Sequence, residues 1–411
     1  MSNDEENTLP EGWILKPLGD IAFLKSGSTP RRSNNSFWNK GTIPWLKSGE
    51  LNDVMGIKEN SEFITEIALN ETSVKLFEKD TLLIAMYGAT AGKLGILSIN
   101  ATTNQAVCSI QNIYNKFDNH YIFYFLFSSR QEIVQDSFGG AQPNISKSYL
   151  EKITIPLPPL EEQKRIVAKI DTLFTKIDKA ITLTEESLKQ AKNLFPSVLK
   201  EVFEKGKAEG WEEKMLGEFA QVKGGKRLPK GEKLEENKTP FPYIRVTDFN
   251  DYGSVNKCGI KYISKVVYEH IKKYTISSDD VYISIAGTIG KTGVIPDNLN
   301  GANLTENAAK IVINNLDEIK TLFLYYFTLS GSFLEQINEK TKTAAQPKLA
   351  LTRLREVIIY YPTFDEQVKV ISVFDLIRKQ TEQTQSKLEE QLAYLKQLKS
   401  SILSKAFKGE L

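Results

Sequence analysis

The feature that most constrains this chain is an internal duplication. GWILKPLGDIA from Gly12 is answered by GWEEKMLGEFA from Gly210, and IPWLKSGELND from Ile43 by FPYIRVTDFND from Phe241, both at an offset of 198 residues. That frame pairs Pro44 with Pro242, Trp45 with Tyr243 and Lys47 with Arg245. GATAGKLGI from Gly88 matches GTIGKTGVI from Gly287 with one residue lost, and Asn104-Gln-Ala is set against Asn307-Ala-Ala. The offset then settles at 204, where Gln142-Pro143 meets Gln346-Pro347, LEEQKRIV from Leu160 meets FDEQVKVI from Phe364, and Phe203 meets Phe407. A register kept through so long a stretch marks two diverged copies of one folding unit, and such self-similarity decides the fold before any local signal does.

Each copy has two parts. The first reads as short strands and turns: TLLIAMYG (Thr81–Gly88) and VYISIAG (Val281–Gly287) are apolar runs closed by glycine, with Pro and Gly as punctuation throughout. Helices are expected around Tyr121–Ser129 and Leu322–Ser330. The second part changes period. From Leu160 to about Lys205, apolar residues fall at Ile166, Ile170, Leu173, Ile177, Ile181, Leu188 and Leu194 on a charged background, and the second copy repeats the pattern from Val370 to Ala406. Spacings of three and four are the seam of a long amphipathic helix. One such helix cannot bury its stripe alone, but two in one chain can pack antiparallel. The fold class is therefore α/β (α+β): two tandem mixed α/β domains, separated and joined by two long antiparallel coiled-coil helices with pseudo-twofold repetition. The expected boundaries are 1–158, 159–207, 208–362 and 363–411. Pro196 lies inside the first helix where the second has Ser400, and predicts a kink or break there.

Composition excludes several classes. Hydrophobic residues at 41% and aromatics at 10% are ample for packed cores, so wholesale disorder is out. The opening MSNDEENTLPEGW is acidic and polar, unlike a signal peptide. The longest apolar cluster, Tyr121–Phe127, is far short of a membrane helix, so no membrane partner is expected. Cys108 and Cys258 make neither a disulfide framework nor a zinc cluster, and a reducing cytoplasm fits best. A net charge of +2 does not argue for nucleic acid by itself, so the case rests on where the basic residues sit.

They sit on loops. Lys25, Arg31, Arg32, Lys40 and Lys47 lie in KSGSTPRRSNNSFWNKGTIPWLK without one acidic residue, and the second copy has KGGKRLPK, with Lys223, Lys226, Arg227 and Lys230 around two glycines. Lysine and arginine on such loops suit phosphate contacts, while Asn and Gln side chains read base edges. The candidate DNA contacts are Lys25, Arg31, Arg32, Lys47, Lys93, Gln105 and Gln142, with Lys223, Lys226, Arg227, Arg245, Lys291 and Gln346 in the second copy. GATAGK and GTIGK imitate a phosphate-binding loop but leave three and two residues where four are required, and no Ser or Thr follows the first lysine. They read as tight turns after buried strands. Pro296-Asp297 with Glu318-Ile319-Lys320 imitates a nuclease pattern, yet the first copy has no counterpart. His120 and His270 are not equivalent, which removes a histidine site repeated in both copies. Neither an Asn-Pro-Pro-Tyr or Asp-Pro-Pro-Tyr pocket nor a glycine-rich cofactor loop occurs. No catalytic residue or metal ligand is assigned.

Ser26–Pro30, Ile43–Trp45, Gly88–Lys93, Thr103–Ala106, Gln142–Ser146, Ile155–Gln163 and the terminal Ser401–Leu411, in this order, resemble the specificity (S) subunit of type I restriction–modification systems over essentially the whole chain. The resemblance implies that each recognition domain reads one half of a bipartite, asymmetric site on double-stranded DNA. It implies that the helices set the half-site spacing and dock two methyltransferase subunits, with restriction/translocase subunits joining the complex. It implies no cofactor on this chain, with S-adenosylmethionine, ATP and magnesium in the partners. The alternative is a non-catalytic tandem protein-binding adaptor with dimerising helices.

Overall fold

The computed structural model describes residues 9–58, 60–112, 115–137, 144–250, 253–341 and 348–411. The chain forms two compact units, one running to Thr184 and completed by Glu390–Leu411, the other Glu185–Glu389. The division falls inside the two long helices, so the first unit is assembled from two separate stretches of chain.

In the first unit the principal sheet has the strand order Phe23–Ser26, Val107–Gln111, Leu82–Ala85, Leu94–Leu97 and Val54–Ile57, antiparallel except for the last pair. Leu82–Ala85 is buried at every residue, which is why its sequence is a continuous apolar run rather than an alternation. A smaller sheet places Ile43–Leu46 between Glu62–Ile64, antiparallel, and Thr102–Thr103, parallel. Ile14–Pro17 pairs with Thr154–Leu157 and closes the unit just before the first long helix.

The second unit repeats this plan. Its principal sheet runs Ala220–Gly224, Ala308–Ile313, Val281–Ser284 and Thr292–Val294 among the described residues. Its smaller sheet sets Pro242–Ile244 between Lys261–Tyr262 and Asn303–Leu304, and Glu212–Met215 pairs with Ile358–Tyr361. Equivalent hydrogen bonds correct one sequence pairing. Asn104 N–H donates to the Leu46 carbonyl (2.9 Å) as Thr305 N–H does to that of Ile244 (3.0 Å), so Asn104-Gln105 corresponds to Thr305-Glu306 and not to Asn307-Ala308. The repeated asparagine misled because the two copies differ in loop length just before it.

The long helices span Leu160–Ala208 and Phe364–Lys408. Within the first unit, Arg165 reaches the Leu411 carbonyl (2.7 Å) and Lys399 pairs with Asp178, an antiparallel pattern. Each core takes the start of one helix and the end of the other. Ile166, Ile170 and Ile177 pack with Ile402, Leu403 and Ala406 in the first unit, and Ile371 and Phe374 with Leu199 and Phe203 in the second. Phe407 stands edge-on to Tyr121 and Phe125 (both 5.3 Å), as Phe203 does to Phe323 and Phe327 (5.8 and 5.1 Å).

Of the kink or break expected at Pro196, the break does not occur, and the helix runs on through this proline. Its missing N–H leaves the Lys192 carbonyl without its helical donor, but Phe195 and Leu199 on either side are packed into the second core and hold the segment helical.

A buried glutamine fastens the start of each helix. Gln163 donates to the Pro158 carbonyl (2.9 Å) and accepts from Asp118 N–H (2.8 Å). Gln367 donates to the carbonyls of Glu318 (2.9 Å) and Pro362 (3.1 Å) and accepts from Lys320 N–H (3.0 Å). Both are fully buried. Below them, Tyr124 donates to Asp171 and Tyr326 to Asp375, again at matching places. The globular part of each unit is thereby pinned to the helix that follows it.

Candidate nucleic-acid interface

In the first unit the smaller sheet carries the basic loop. Trp45 is buried, and its indole N–H donates to the Ser28 carbonyl (3.0 Å), which ties the loop to the sheet. Opposite Trp45 in the antiparallel register stands Glu62. This carboxylate accepts from Arg32 and from Lys47 Nζ (2.7 Å). The Arg32 guanidinium lies 3.9 Å from the Trp38 ring centre and 4.7 Å from that of Trp45, and the two indoles meet edge to face at 5.1 Å. Hydrogen bonds from Arg32 and then Lys47 hold the Glu62 carboxyl below its ordinary range, against a smaller upward push from burial. Arg31 is exposed, and its carbonyl accepts from the Trp38 indole N–H (3.3 Å). Gln105 accepts from the Thr29 hydroxyl.

The second unit builds the same frame with other charges. Tyr243 takes the place of Trp45 and donates its hydroxyl to the Lys226 carbonyl (2.8 Å). Arg227 donates to Glu306 (2.6 Å), replacing the neutral Thr29–Gln105 contact. Burial raises the Glu306 pKa, but the Arg227 guanidinium and further hydrogen bonds outweigh it and leave it lowered. Arg245, the counterpart of Lys47, lies bidentate on Asp248 (2.6 and 3.0 Å) and also donates to the Gly259 carbonyl (3.1 Å). Lys226 Nζ stands 5.6 Å over the Tyr274 ring.

The remaining candidates scatter. Lys25 and Lys223 sit on the edge strands of the principal sheets, each flanked by a buried residue, Leu24 or Val222. Lys93 follows the turn after the buried strand, where Gly88 and Gly92 take φ of +69° and +80°, left-handed values that glycine adopts without strain. Its ammonium donates to Asn52 Oδ1 (3.2 Å), beside an Asp53 that receives both terminal nitrogens of Arg130. Lys291 occupies the matching turn, its carbonyl accepting from Ser284 N–H (2.9 Å) as that of Lys93 accepts from Ala85 N–H (2.8 Å). Gln142 and Gln346 lie outside the described residues.

The structure thus gathers Arg32 and Lys47 around one carboxylate and gives Arg227 and Arg245 acidic partners of their own. Sequence reasoning missed Glu62, Glu306 and Trp38. The signal for Glu62 was present: SEFIT (Ser61–Thr65) aligns with IKYIS (Ile260–Ser264), a match interrupted by one inverted charge. Glu306 was hidden by the two-residue slip at Asn104.

The sites that imitate catalysis are occupied structurally. Glu318 accepts from Lys214 (2.7 Å) and Tyr361 (3.0 Å), and Lys320 Nζ lies 4.1 Å over the Phe364 ring. Among the described residues, no group of three or more His, Cys, Asp and Glu side chains is placed to hold a metal ion. No helix among them is long and apolar enough to cross a membrane.

Comparison with known proteins bears on both units. Residues 10–192 and 208–394 each match the family model of the type I restriction modification DNA specificity domain. The MjaIX type I restriction enzyme specificity subunit of Methanocaldococcus jannaschii is 25% identical, over 98% of this chain and 94% of that protein. The EcoBI specificity subunit of Escherichia coli is also 25% identical, over 98% of this chain and 87% of that protein. The crystal structure of the HsdS subunit from Thermoanaerobacter tengcongensis superposes with a TM-score of 0.66 at 22% identity, covering all of both chains. A chain from a structure addressing assembly and conformational transition of a type I R-M system gives 0.79 at 22% identity, over 98% of this chain and 100% of that one. At those identities the structural likeness is one of fold.

Proposed function

The chain belongs to the type I restriction–modification DNA specificity family, and from that premise we propose how it works. It is a non-catalytic specificity subunit that recognises DNA for a type I enzyme and assembles with methyltransferase and restriction subunits. The adaptor alternative is not favoured, since both halves match a DNA specificity domain.

The observation that carries the reading is the duplication itself. Two units share a frame of strands, a buried glutamine and a helix start, while the charged side chains on the smaller sheets differ. A repeated frame suits two like partners, and divergent faces suit the two unlike halves of an asymmetric site. Residues 1–158 and 208–362 are the recognition domains in this reading, and 159–207 and 363–411 the spacer. A helix of 49 residues rises roughly 70 Å at ~1.5 Å per residue, ample for holding two half-sites at a set distance. The duplex contacts come from Arg31, Arg32, Lys47 and Gln105 in one domain and Lys226, Arg227 and Arg245 in the other, with Lys25, Lys93, Lys223 and Lys291 on the phosphates, and Gln142 and Gln346 also assigned to the interface. The chain works in the cytoplasm, where chromosomal DNA and its partners are.

The test is co-expression with the methyltransferase subunit of the same system, followed by sequencing of methylated adenines. A single new bipartite, asymmetric motif is expected. Absence of any new motif, with the complex assembled, overturns the function.

A further inference from the structure

Residues 62 and 261 occupy one position in the two copies. Glu62 pairs with Trp45 in the antiparallel register, and Lys261 pairs with Tyr243. The next three residues play the same parts in both units. Phe63 matches Tyr262, Ile64 and Ile263 are fully buried, and Thr65 and Ser264 cap the next helix by accepting from Ala68 N–H and Val267 N–H (both 3.2 Å). The backbone is held constant on either flank while the charge at this one place is inverted.

The surroundings show what the charge does. In the first unit Glu62 is shared by two cations, and one of them, Arg32, is pressed against two indoles. A guanidinium so stacked and pinned keeps one direction, as recognition of a planar base edge requires and as a phosphate contact does not. The carboxylate also repels phosphate and occupies the cations that would otherwise attract it. In the second unit Lys261 is held by the exposed Glu236 (2.6 Å), and the nearby arginine, Arg245, is locked on Asp248 instead.

Resting on the reading of the chain as a DNA specificity subunit, we propose that Glu62 is a specificity-determining positioning residue of the first recognition domain: it holds Arg32 on the Trp38–Trp45 platform for a base edge in the major groove, and by its charge it denies Arg32 and Lys47 to indiscriminate phosphate binding. Among the described residues of the second domain no such reader is held at this position: Lys261 is itself paired with Glu236, and Arg245 with Asp248. Arg32 is therefore a base reader, and Arg31 keeps the role of phosphate contact.

The experiment uses the assembled complex of this chain with its methyltransferase subunits, with binding to a duplex carrying its methylated motif and to a scrambled duplex measured across a salt series. For Glu62→Gln, the scrambled duplex is bound several-fold more tightly. Its salt slope steepens by about 0.9 for each of the two cations released. Preference for the motif falls by about tenfold, the scale of one lost base contact. Single-base changes in the motif locate the loss in one half-site only. Arg32→Lys keeps the charge but not the planar fork, so it loses the same preference with the salt slope unchanged.

A merely structural role predicts parallel weakening of both duplexes by Glu62→Gln, and that result overturns the proposal. So does an Arg32→Lys complex with undiminished preference, which keeps the question decidable if Glu62→Gln fails to assemble. A wild-type complex that shows no motif preference at all overturns instead the functional reading beneath it.

Discussion

The two units solve one construction problem with different side chains, and the differences sort by depth. In the interior, like residues recur at matching places and keep the same kind of contact. Gln163 and Gln367, Tyr124–Asp171 and Tyr326–Asp375, and Phe407 and Phe203 all stand in matching roles. On the smaller sheet, contacts recur in place but change in kind: Thr29–Gln105 becomes Arg227–Glu306, and Glu62 becomes Lys261. The lesson is that geometry has been kept where the units must attach to the same type of helix, and charge has been allowed to vary where each faces outward.

The comparison breaks most readily at the aromatic plugs. Phe203 is buried and touches the rings of Trp211, Phe323, Phe327 and Phe374, whereas Phe407 is only partly buried and touches two rings. Truncation should therefore cost about 4 kcal/mol for Phe203→Ala and about 2 kcal/mol for Phe407→Ala. Hydrogen exchange of amides in each unit reads the two losses separately. Equal losses would show that the plugs are not graded by their packing.

Next in size are the buried glutamines. Replacing either by Leu strands the backbone groups it satisfies, each at ~1–3 kcal/mol. Gln367 serves three groups and Gln163 two. Gln367→Leu is expected to destabilise its unit by about 3 kcal/mol and Gln163→Leu by about 2 kcal/mol. Urea titration of the two variants, compared at constant m, decides the order.

A third test runs in the stabilising direction. Asp118 caps the helix Asn119–Ser128, accepting from His120 N–H (2.8 Å) and Tyr121 N–H (3.1 Å). Lys320 holds the equivalent place before Thr321–Thr328, with no side-chain cap and with a cation at the positive end of the helix. Lys320→Asp should add about 1 kcal/mol to the second unit, less whatever its stacking on Phe364 contributed. A variant no more stable than the parent in thermal unfolding would mean that the uncapped end is satisfied by other means.

Smaller again is the exchange of a neutral contact for an ionic one. Because the folded Glu306 carboxyl is held below its ordinary 4.5, the stability it lends is present above that value and is lost as the pH falls through its lowered one. Arg227→Ala should remove part of this acid sensitivity from the second unit, and Thr29→Ala should leave the first unit's unchanged. The ion pair is largely exposed on the arginine side, so solvent screening keeps this effect small.

The same division by depth governs how much was legible in the sequence. The duplication, the long helices and the central strands were readable because buried positions carry period and because the anchors Gly-Trp and Glu-Gln kept their spacing. Of the kink or break expected at Pro196, the break does not occur: Phe195 and Leu199 are packed into the core and the helix runs on. The candidate loops were readable as basic, but not their pairing, since Glu62 lies 30 residues from Arg32 and Glu306 lies 79 from Arg227. Spacing cannot report contacts made across a sheet. The strand Val54–Ile57 in the first unit was likewise invisible, being a parallel edge pairing fixed by its neighbour rather than by its own pattern.

The least effect, and the one most specific to a single unit, is a histidine titration. His120 in the first unit lies 3.6 Å from Asp118, while the second unit has Leu322 after Lys320 and so holds no such pair there. Hydrogen bonding to the Asp118 carboxylate raises the His120 pKa above 6.5, with burial opposing. A group whose folded pKa is raised lends stability that is fully present below the unfolded value and is lost as pH rises through the folded one. The first unit should therefore soften slightly above pH 6.5 through this pair. His120→Leu is expected to flatten that slope without touching the Asp118 cap, because the cap uses backbone donors. Unit-resolved exchange measured from pH 6 to 8 checks it: a slope that persists in His120→Leu, or one that also appears in the second unit, would place its origin elsewhere than in this pair.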